Sequence, residues 1–436
     1  MSKSYQLQQQ IINKLGIKAL NPMQDEANLA ISSVDDVVLL SPTGTGKTLA
    51  FLLPVLGTLD PDCKAVQALI LVPSRELAIQ IEQVIREMGS GFKANAVYGG
   101  RPFSKDKVEL KHPPAILVGT PGRIADHLRR ETFSVNEIKT LILDEFDKSL
   151  EVGFESEMSE IIAFLPHIKK RILTSATQDM EIPRFVGLKD ELTINYLGTV
   201  TSQLLIKKVI SPAKNKLQTL VDLLCHIGNE PGIVFCNFKD TISYVSDFLD
   251  DNNIAHGCFH GGMEQMERER ALIKFRNGTH QIIIATDLAA RGLDISELKY
   301  IIHYQLPLKA QEFTHRNGRT ARMNTEGTAY VLQWEEEYLP EFINSEEIVK
   351  LAGKTIPEGS KWQTLFVSGG RKDKISKGDI AGLFFKQGNL DRSELGIIEL
   401  KQDCAFVAVP KDKADLIIDK TNNMRLKKKK IRVSKI

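Results

Sequence analysis

Ser41-Pro42-Thr43-Gly44-Thr45-Gly46-Lys47-Thr48 joins the apolar run 37–40 to a helix-forming stretch at 49–56. Two glycines let the backbone wrap tightly, and N–H groups of the first helical turn then point at an anion. Lys47 supplies a charge for the outer phosphates of a polyphosphate, and Thr48 a hydroxyl for Mg²⁺. Strand, glycine loop and helix in that order are the context of a nucleoside-triphosphate site. A second group, Asp144-Glu145-Phe146-Asp147, closes the apolar run 141–143. Carboxylates at a strand end in the same sheet sit where metal and attacking water are arranged. Asp144 is expected to hold Mg²⁺, and Glu145 to orient or deprotonate the water. Further along, the segment 315–322 (HRNGRTAR) sets Arg319 and Arg322 three apart, expected on one helical face, where they stabilise charge on a transferring phosphoryl group. The segment 285–294 follows another strand, with Thr286 suited to a sugar–phosphate backbone and Asp294 to a ribose hydroxyl.

These groups need elements to hold them, and the pattern supplies two sets. Strands are expected at 37–40, 68–72, 115–118, Thr140–Leu143 and Lys170–Ser175, with helices at 76–87, Pro121–Arg129 and 155–164 between them. From 205 the alternation repeats, with strands at 232–236, 256–259, 281–285, 299–303 and 328–331 and helices at 239–250 and 265–275. Each set implies a parallel sheet covered on both faces, an α/β fold. Linkers are expected at 195–201 and 353–360. The last 75 or so residues read β (362–368), α (377–388), β (395–400), β (405–409), α (411–421), β (429–433). That βαββαβ order indicates a small α+β domain of the ferredoxin-like, RNA-recognition kind. Three domains result, at 1–200, 205–352 and 361–436.

Composition narrows the partners. The chain of 436 residues carries 57 Lys and Arg against 55 Asp and Glu, yet residues 361–436 hold 18 of the former and 9 of the latter. A basic tail on a mildly acidic body points to a polyanion. The longest apolar stretches are strand-length, so no membrane span is expected. Five scattered cysteines without a CxxC pair give no reason to expect zinc or a disulfide framework. No apolar signal core follows the start, and a cytoplasmic monomer is expected.

Taken together, the motifs resemble the DEAD-box family of ATP-dependent RNA helicases over roughly residues 15–350. The order is NPMQ ending at Gln24, SPTGTGKT, PSRELAIQ from Pro73, YGG at 98–100, TPGR from Thr120, DEFD, SAT from Ser175, VFCNFK from Val234, ATDLAARGLDI from Ala285 and HRNGRTAR. The resemblance implies two RecA-like domains and a set of roles. Gln24 reads adenine; Lys47, Thr48, Asp144 and Glu145 serve the triphosphate, metal and water. Ser175 and Thr177 couple hydrolysis to strand separation. Arg319 and Arg322 are arginine fingers, and Gly292 and Asp294 complete the ATP site. Pro73, Arg75, Gly100, Thr120, Arg123, His260, Gly261, Thr286 and Asp287 lie along a bound RNA strand. Phe146 stands where the family usually has alanine, and the segment before Gln24 is short and aromatic-poor.

The segments 364–374 and 404–409 resemble the C-terminal RNA-binding domain of the DbpA subfamily, which acts on 23S ribosomal RNA during large-subunit maturation. Arg371, Lys372 and Lys374 then form a basic, backbone-accessible loop for phosphates. Phe366 and Phe406 either stack on bases or face the core. The implied activity is RNA-stimulated ATP hydrolysis with local unwinding of 23S rRNA or pre-50S particles. The alternative is an ATP-gated RNA clamp or annealing chaperone.

Overall fold

The computed structural model describes residues 3–178, 181–198, 203–287, 298–321, 326–345, 347–352 and 355–436. The chain divides into two compact units, the second carrying both the later parallel sheet and the C-terminal domain. In the first unit seven strands form one sheet: β1 (Asp36–Leu40), β2 (Ala68–Leu71), β3 (Ala94–Val97), β4 (Ile116–Gly119), β5 (Thr140–Leu143), β6 (Lys170–Ser175) and β7 (Leu192–Asn195). Their spatial order is β3-β4-β2-β5-β6-β1-β7, and every pairing is parallel. Continuous apolar runs suit a sheet buried on both faces. Along β1, Val37 and Leu39 enter one core while Val38 and Leu40 enter the other. Neither β3 nor β7 was expected from the sequence. Ala94-Asn95-Ala96-Val97 has weak strand character, and β7 is an edge strand with Leu192 exposed.

All strands being parallel, their C-terminal ends share one edge. The loops after β1, β5 and β6, which are neighbours, carry SPTGTGKT, DEFD and SAT. Those after β2, β3 and β4, also neighbours, carry PSR, YGG and TPGR. The strand order thus splits one edge into a triphosphate half and a second half made of quite different groups.

The second unit repeats the plan with β8 (Gln203–Ser211), β9 (Gly232–Phe235), β10 (Gly257–Phe259), β11 (Ile282–Ala285), β12 (Tyr300–His303) and β13 (Glu326–Trp334), ordered β10-β11-β9-β12-β13-β8 and parallel throughout. Gly232 admits Tyr300 to this core: a Cβ there would lie 2.2 Å from the phenol ring. One expectation fails here. The helix of HRNGRTAR covers only Ala310–Asn317, and Arg319 and Thr320 close turns onto Arg316 and Asn317 at 3.1 Å. Arg319 therefore lies past the helix, next but one to Ala321 at φ +51°, and Arg322 lies outside the described residues. The helix ends at Asn317, before the motif is complete, with the Gly318 N–H closing onto the Thr314 and Arg316 carbonyls.

The C-terminal domain has β14 (Trp362–Val367), β15 (Ile398–Leu400), β16 (Ala405–Pro410), β17 (Arg425–Leu426), β18 (Lys429–Lys430) and β19 (Val433–Lys435), with helices Lys377–Lys386 and Ala414–Thr421. The antiparallel sheet runs β15-β16-β14-β19, as βαββαβ order requires. The last strand is not 429–433. Lysines 429 and 430 pair instead with Arg425 and Leu426 in a hairpin, and the sheet resumes at Val433. Alternation sends Leu365, Val367, Ala405, Val407 and Val409 into the domain core. Phe366 and Phe406 face the other way, directly opposite one another with ring centroids 5.7 Å apart. That outer face adjoins the second parallel-sheet domain. Thr364 bonds to Thr279 at 2.7 Å and accepts from Asn277 at 3.3 Å, and Glu399 lies 3.6 Å from Arg276. Phe406 is buried there and Phe366 half-buried.

Phe146, the odd residue of DEFD, is wholly buried in the second core of the first unit, among such residues as Leu143, Met158 and Leu173. Its ring fills space that alanine would leave empty. Phe146→Ala is expected to lower unfolding free energy by about 3–5 kcal/mol in urea denaturation, with the neighbouring carboxylates intact.

Candidate active site and nucleic-acid interface

The glycine loop is built from the inside. Ser41 N–H extends the β1–β6 pairing by donating to the Ser175 carbonyl at 3.0 Å. Gly44 and Gly46 hold φ values of +84° and +86° that other residues rarely adopt. Lys47 opens helix Lys47–Leu56 and its ammonium donates to the Ser41 and Pro42 carbonyls at 2.5 and 2.9 Å. The loop thus folds over its own lysine, with Ser41 and Thr45 hydroxyls 2.7 Å apart beneath it. Gln24 braces the same loop. It closes a capping box with Asn21 at the start of helix Pro22–Ser33, and its amide donates to the Gly46 carbonyl at 3.2 Å. Asn21 adds a bond to the Thr45 carbonyl at 3.1 Å.

DEFD sits beside this loop. Asp144 is buried, and its carboxyl pKa is pushed up to about 6, first by burial and then by Glu145, against the pull of Thr174 and Lys47. A cation at this carboxylate reverses that shift by favouring the charged form. Glu145 stands in the left-handed region at φ +49°, a strain of roughly 1–2 kcal/mol for a side-chain-bearing residue. Its Oε2 is buried with no hydrogen-bond partner among the described residues. Backbone strain and an unmet buried acceptor thus coincide at this one position. The donor set also fits a metal-bound triphosphate: Lys47 for phosphate charge, Thr48 and Asp144 for Mg²⁺, and Glu145 for water.

Thr174 holds the pair together. Its hydroxyl donates to Asp144 Oδ1 and accepts from the Glu145 N–H at 3.1 Å. SAT follows immediately. Ser175 and Thr177 bond to one another, and the Thr177 hydroxyl donates to Asp147 Oδ2 at 3.3 Å. Thr174 and the Thr177–Asp147 link escaped sequence reasoning, although both adjoin motifs already singled out.

On the other half of the edge, Arg75 begins helix Arg75–Met88, capped by Ser74, and its guanidinium packs over Gly99 and Gly100. Gly100, at φ +86°, leaves room for it. Thr120 opens helix Pro121–Arg129 without a side-chain cap. Pro73, Arg75, Gly100, Thr120 and Arg123 therefore come together around three adjacent strand ends. Arg123 is turned inward, bonding to Asp106 at 2.7 Å.

In the second unit His260 and Gly261 follow β10, and Thr286 and Asp287 follow the neighbouring β11. Burial, with Lys239 and Arg268 nearby, lowers the His260 pKa and favours the neutral ring. Asp287 accepts two bonds from the buried Arg316, at 2.7 and 2.6 Å. Arg316 also reaches Asn237 and the Gln305 carbonyl, and burial, with the Arg316 charge beside it, drives the His303 pKa down to about 3. Sequence reasoning missed Arg316, three residues before Arg319. Arg319 is buried in its turn. Gly292, Asp294 and Arg322 lie outside the described residues.

The basic loop of the C-terminal domain differs from expectation in one respect. The N–H groups of Arg371 and Lys372 donate to the Lys401 and Gln402 carbonyls at 3.0 and 2.9 Å, so its backbone is not open to phosphates. The side chains of Lys372 and Lys374 remain exposed. The lysine hairpin joins them: Lys427 donates to the Lys374 carbonyl at 2.6 Å and Lys429 pairs with Asp373 at 3.0 Å, leaving Lys428 and Lys430 exposed.

Two parallel-sheet RecA-like domains, the first with a glycine phosphate loop, define a nucleoside-triphosphate-driven motor core. Comparison with known proteins sharpens the class. The description "DEAD/DEAH box helicase" matches residues 21–185, "Helicase conserved C-terminal domain" residues 215–324, and "DbpA RNA binding domain" residues 364–435. The chain is 30% identical to the ATP-dependent RNA helicase DbpA of Bacillus subtilis, covering 99% of this chain and 98% of that protein. It is 34% identical to the protein of the same name from Escherichia coli, over 91% and 90%. Among solved structures, S. cerevisiae Dbp5 bound to RNA and ADP BeF3 superposes with a TM-score of 0.68 at 25% identity, over 77% of this chain and 88% of that one. The chain belongs to the DEAD-box ATP-dependent RNA helicases, in the group with a DbpA-type RNA-binding domain.

Thr174→Val keeps the shape but leaves Asp144 and the Glu145 N–H without their shared hydroxyl. Turnover in a steady-state ATPase assay is expected to fall at least about tenfold, the loss of a charge-assisted bond in a dry site.

Proposed function

We propose that the chain couples ATP hydrolysis to local unwinding of structured RNA, with 23S rRNA or a pre-50S particle as its target in large-subunit assembly. The observation that carries this reading is the split edge of the first sheet. The triphosphate loops and the PSR, YGG and TPGR loops lie side by side on it. Lys47 and Thr48 hold the triphosphate and its metal, and Glu145 orients the water. Gln24 selects the base, as the resemblance implies, while bracing the loop. Arg319 and Arg322 supply charge for the γ-phosphoryl group, with Gly292 and Asp294 completing the nucleotide contacts. Thr48 and Asp144 would hold Mg²⁺, which would supply charge to neutralise the phosphates.

RNA runs along Pro73, Arg75, Gly100, Thr120, His260, Gly261 and Thr286 through backbone and ribose contacts, without base readout. Asp287 and Arg123 support that path from behind, since their charged groups are spent within the protein. Ser175 and Thr177 carry the state of DEFD to the neighbouring loops. Arg371, Lys372 and Lys374, joined by the lysine hairpin, grip the targeting RNA, supported by the net positive charge of the domain. A 30–34% likeness to proteins named ATP-dependent RNA helicase DbpA supports the RNA-helicase part of this reading, and the ribosomal target is what the resemblance of the C-terminal domain implies.

ATP hydrolysis by the full chain, measured with 23S rRNA fragments and with an equal mass of unstructured RNA, tests the target. Strong stimulation by one fragment is expected. Equal stimulation by both contradicts the ribosomal assignment and leaves the ATPase standing. Strand displacement on short duplexes, run alongside, separates unwinding from ATP-gated clamping. Glu145→Gln is expected to reduce turnover by at least about a hundredfold while RNA still binds.

A further inference from the structure

One carboxylate on the RNA side of the first unit is sealed from water. Asp106, in helix Phe103–Leu110, has a side chain with no exposure. Its Oδ1 lies 2.9 Å from Arg101 Nε; its Oδ2 lies 2.7 Å from Arg123 Nε and 3.2 Å from His127 Nε2. Those partners come from different places. Arg101 belongs to the turn after β3, beside Gly100, while Arg123 and His127 belong to the helix after β4, beside Thr120. Arg123 also donates to the Arg101 carbonyl at 3.1 Å, tying the two turns directly. Phe103 stacks on His127 at 4.4 Å and lies under the guanidinium of Arg123 at 4.8 Å. The far nitrogen of His127 meets the Thr132 hydroxyl at 2.8 Å.

An exposed ion pair of this kind would do little. A sealed carboxylate is different, because water cannot replace a partner that leaves and the buried charge is then uncompensated. Asp106 therefore imposes one geometry on two turns at once. With its edge on Asp106 and its face on Phe103, Arg123 has a guanidinium committed to the protein. What the two turns offer a passing strand is the Gly100 backbone and Thr120, at a spacing set from behind.

We propose that Asp106 is the positioning residue of the RNA grip on the first unit. It locks the turns after β3 and β4 so that Gly100 and Thr120 meet the phosphates of one single strand at fixed separation. Asp106 touches no RNA itself. The inference rests on the RNA reading of those turns.

The test compares the full-length wild type with Asp106→Asn, which keeps the shape and removes the charge. ATP hydrolysis is titrated with poly(U), and binding is followed by anisotropy of a fluorescein-labelled oligouridylate. The half-saturating poly(U) concentration is expected to rise about tenfold, with turnover at saturating poly(U) and half-saturating ATP within about twofold. Asp106→Glu, which restores the charge, is expected to recover part of the RNA affinity. A folded Asp106→Asn with wild-type half-saturation overturns the proposal, as does a loss confined to saturated turnover. If Asp106→Asn does not fold, the half-exposed Arg101→Gln carries the test: a rise of about threefold supports the lock and no change overturns it. A wild type indifferent to poly(U) would instead defeat the RNA reading itself.

Discussion

Parallel strand pairing is the constraint on which both parallel-sheet domains of this molecule depend. It places every strand's C-terminal end on one edge, so loops far apart in sequence become neighbours in an order set by the sheet. In the first unit β5-β6-β1 gathers the acidic, hydroxyl and glycine loops, and β3-β4-β2 gathers the arginine and glycine turns. The border between the halves falls between β2 and β5, which pair along four residues. Asp144 starts where that pairing ends, its N–H donating to the Leu71 carbonyl at 3.0 Å two residues before Pro73. The loops that carry SPTGTGKT, DEFD and SAT are separated from those that carry PSR, YGG and TPGR by one strand spacing.

Polar networks convert that adjacency into coupling. Thr174 joins Asp144 and Glu145, and Thr177 joins SAT to Asp147, so side-chain hydrogen bonds tie the acidic loop to the end of β6. In the second unit Arg316 performs a similar service, binding Asp287, Asn237 and Gln305 from three different strand ends. Such buried guanidinium and carboxylate groups contribute little net stability, but they fix geometry because an unpaired member is so costly. The strained backbone of Glu145 belongs to the same logic: the surroundings hold it where folding alone would not.

Much of this was legible in the chain because it rests on short-range order. The glycine loop, the strands at 140–143 and 170–175 and helix Pro121–Arg129 are announced by local residue types, and the motif order names the family. The unread parts depend on contacts between distant residues. Strand β3 has weak propensity and exists because β4 pairs with it. Asp106 gives no sign in sequence that it gathers Arg101, Arg123 and His127. The helical face expected for Arg319 does not form because the helix ends at Asn317, a boundary that the arginine spacing does not show. The lysine run 427–430 reads as a strand start by proximity to Val433, yet Lys427 at φ +54° turns it into a hairpin. Phe366 and Phe406 sit in an alternation that fits either face, and only the opposite β-register and the contact of Thr364 and Glu399 with the second domain decide it.

If the two halves of the first sheet's edge act as one device, nucleotide and RNA each change the affinity for the other. Anisotropy of a labelled single-stranded RNA on the full chain, with and without a non-hydrolysable ATP analogue and Mg²⁺, measures that coupling directly. Tighter RNA binding is expected with the analogue, and a reciprocal tightening of the analogue by RNA through the same factor. RNA affinity independent of nucleotide would contradict it.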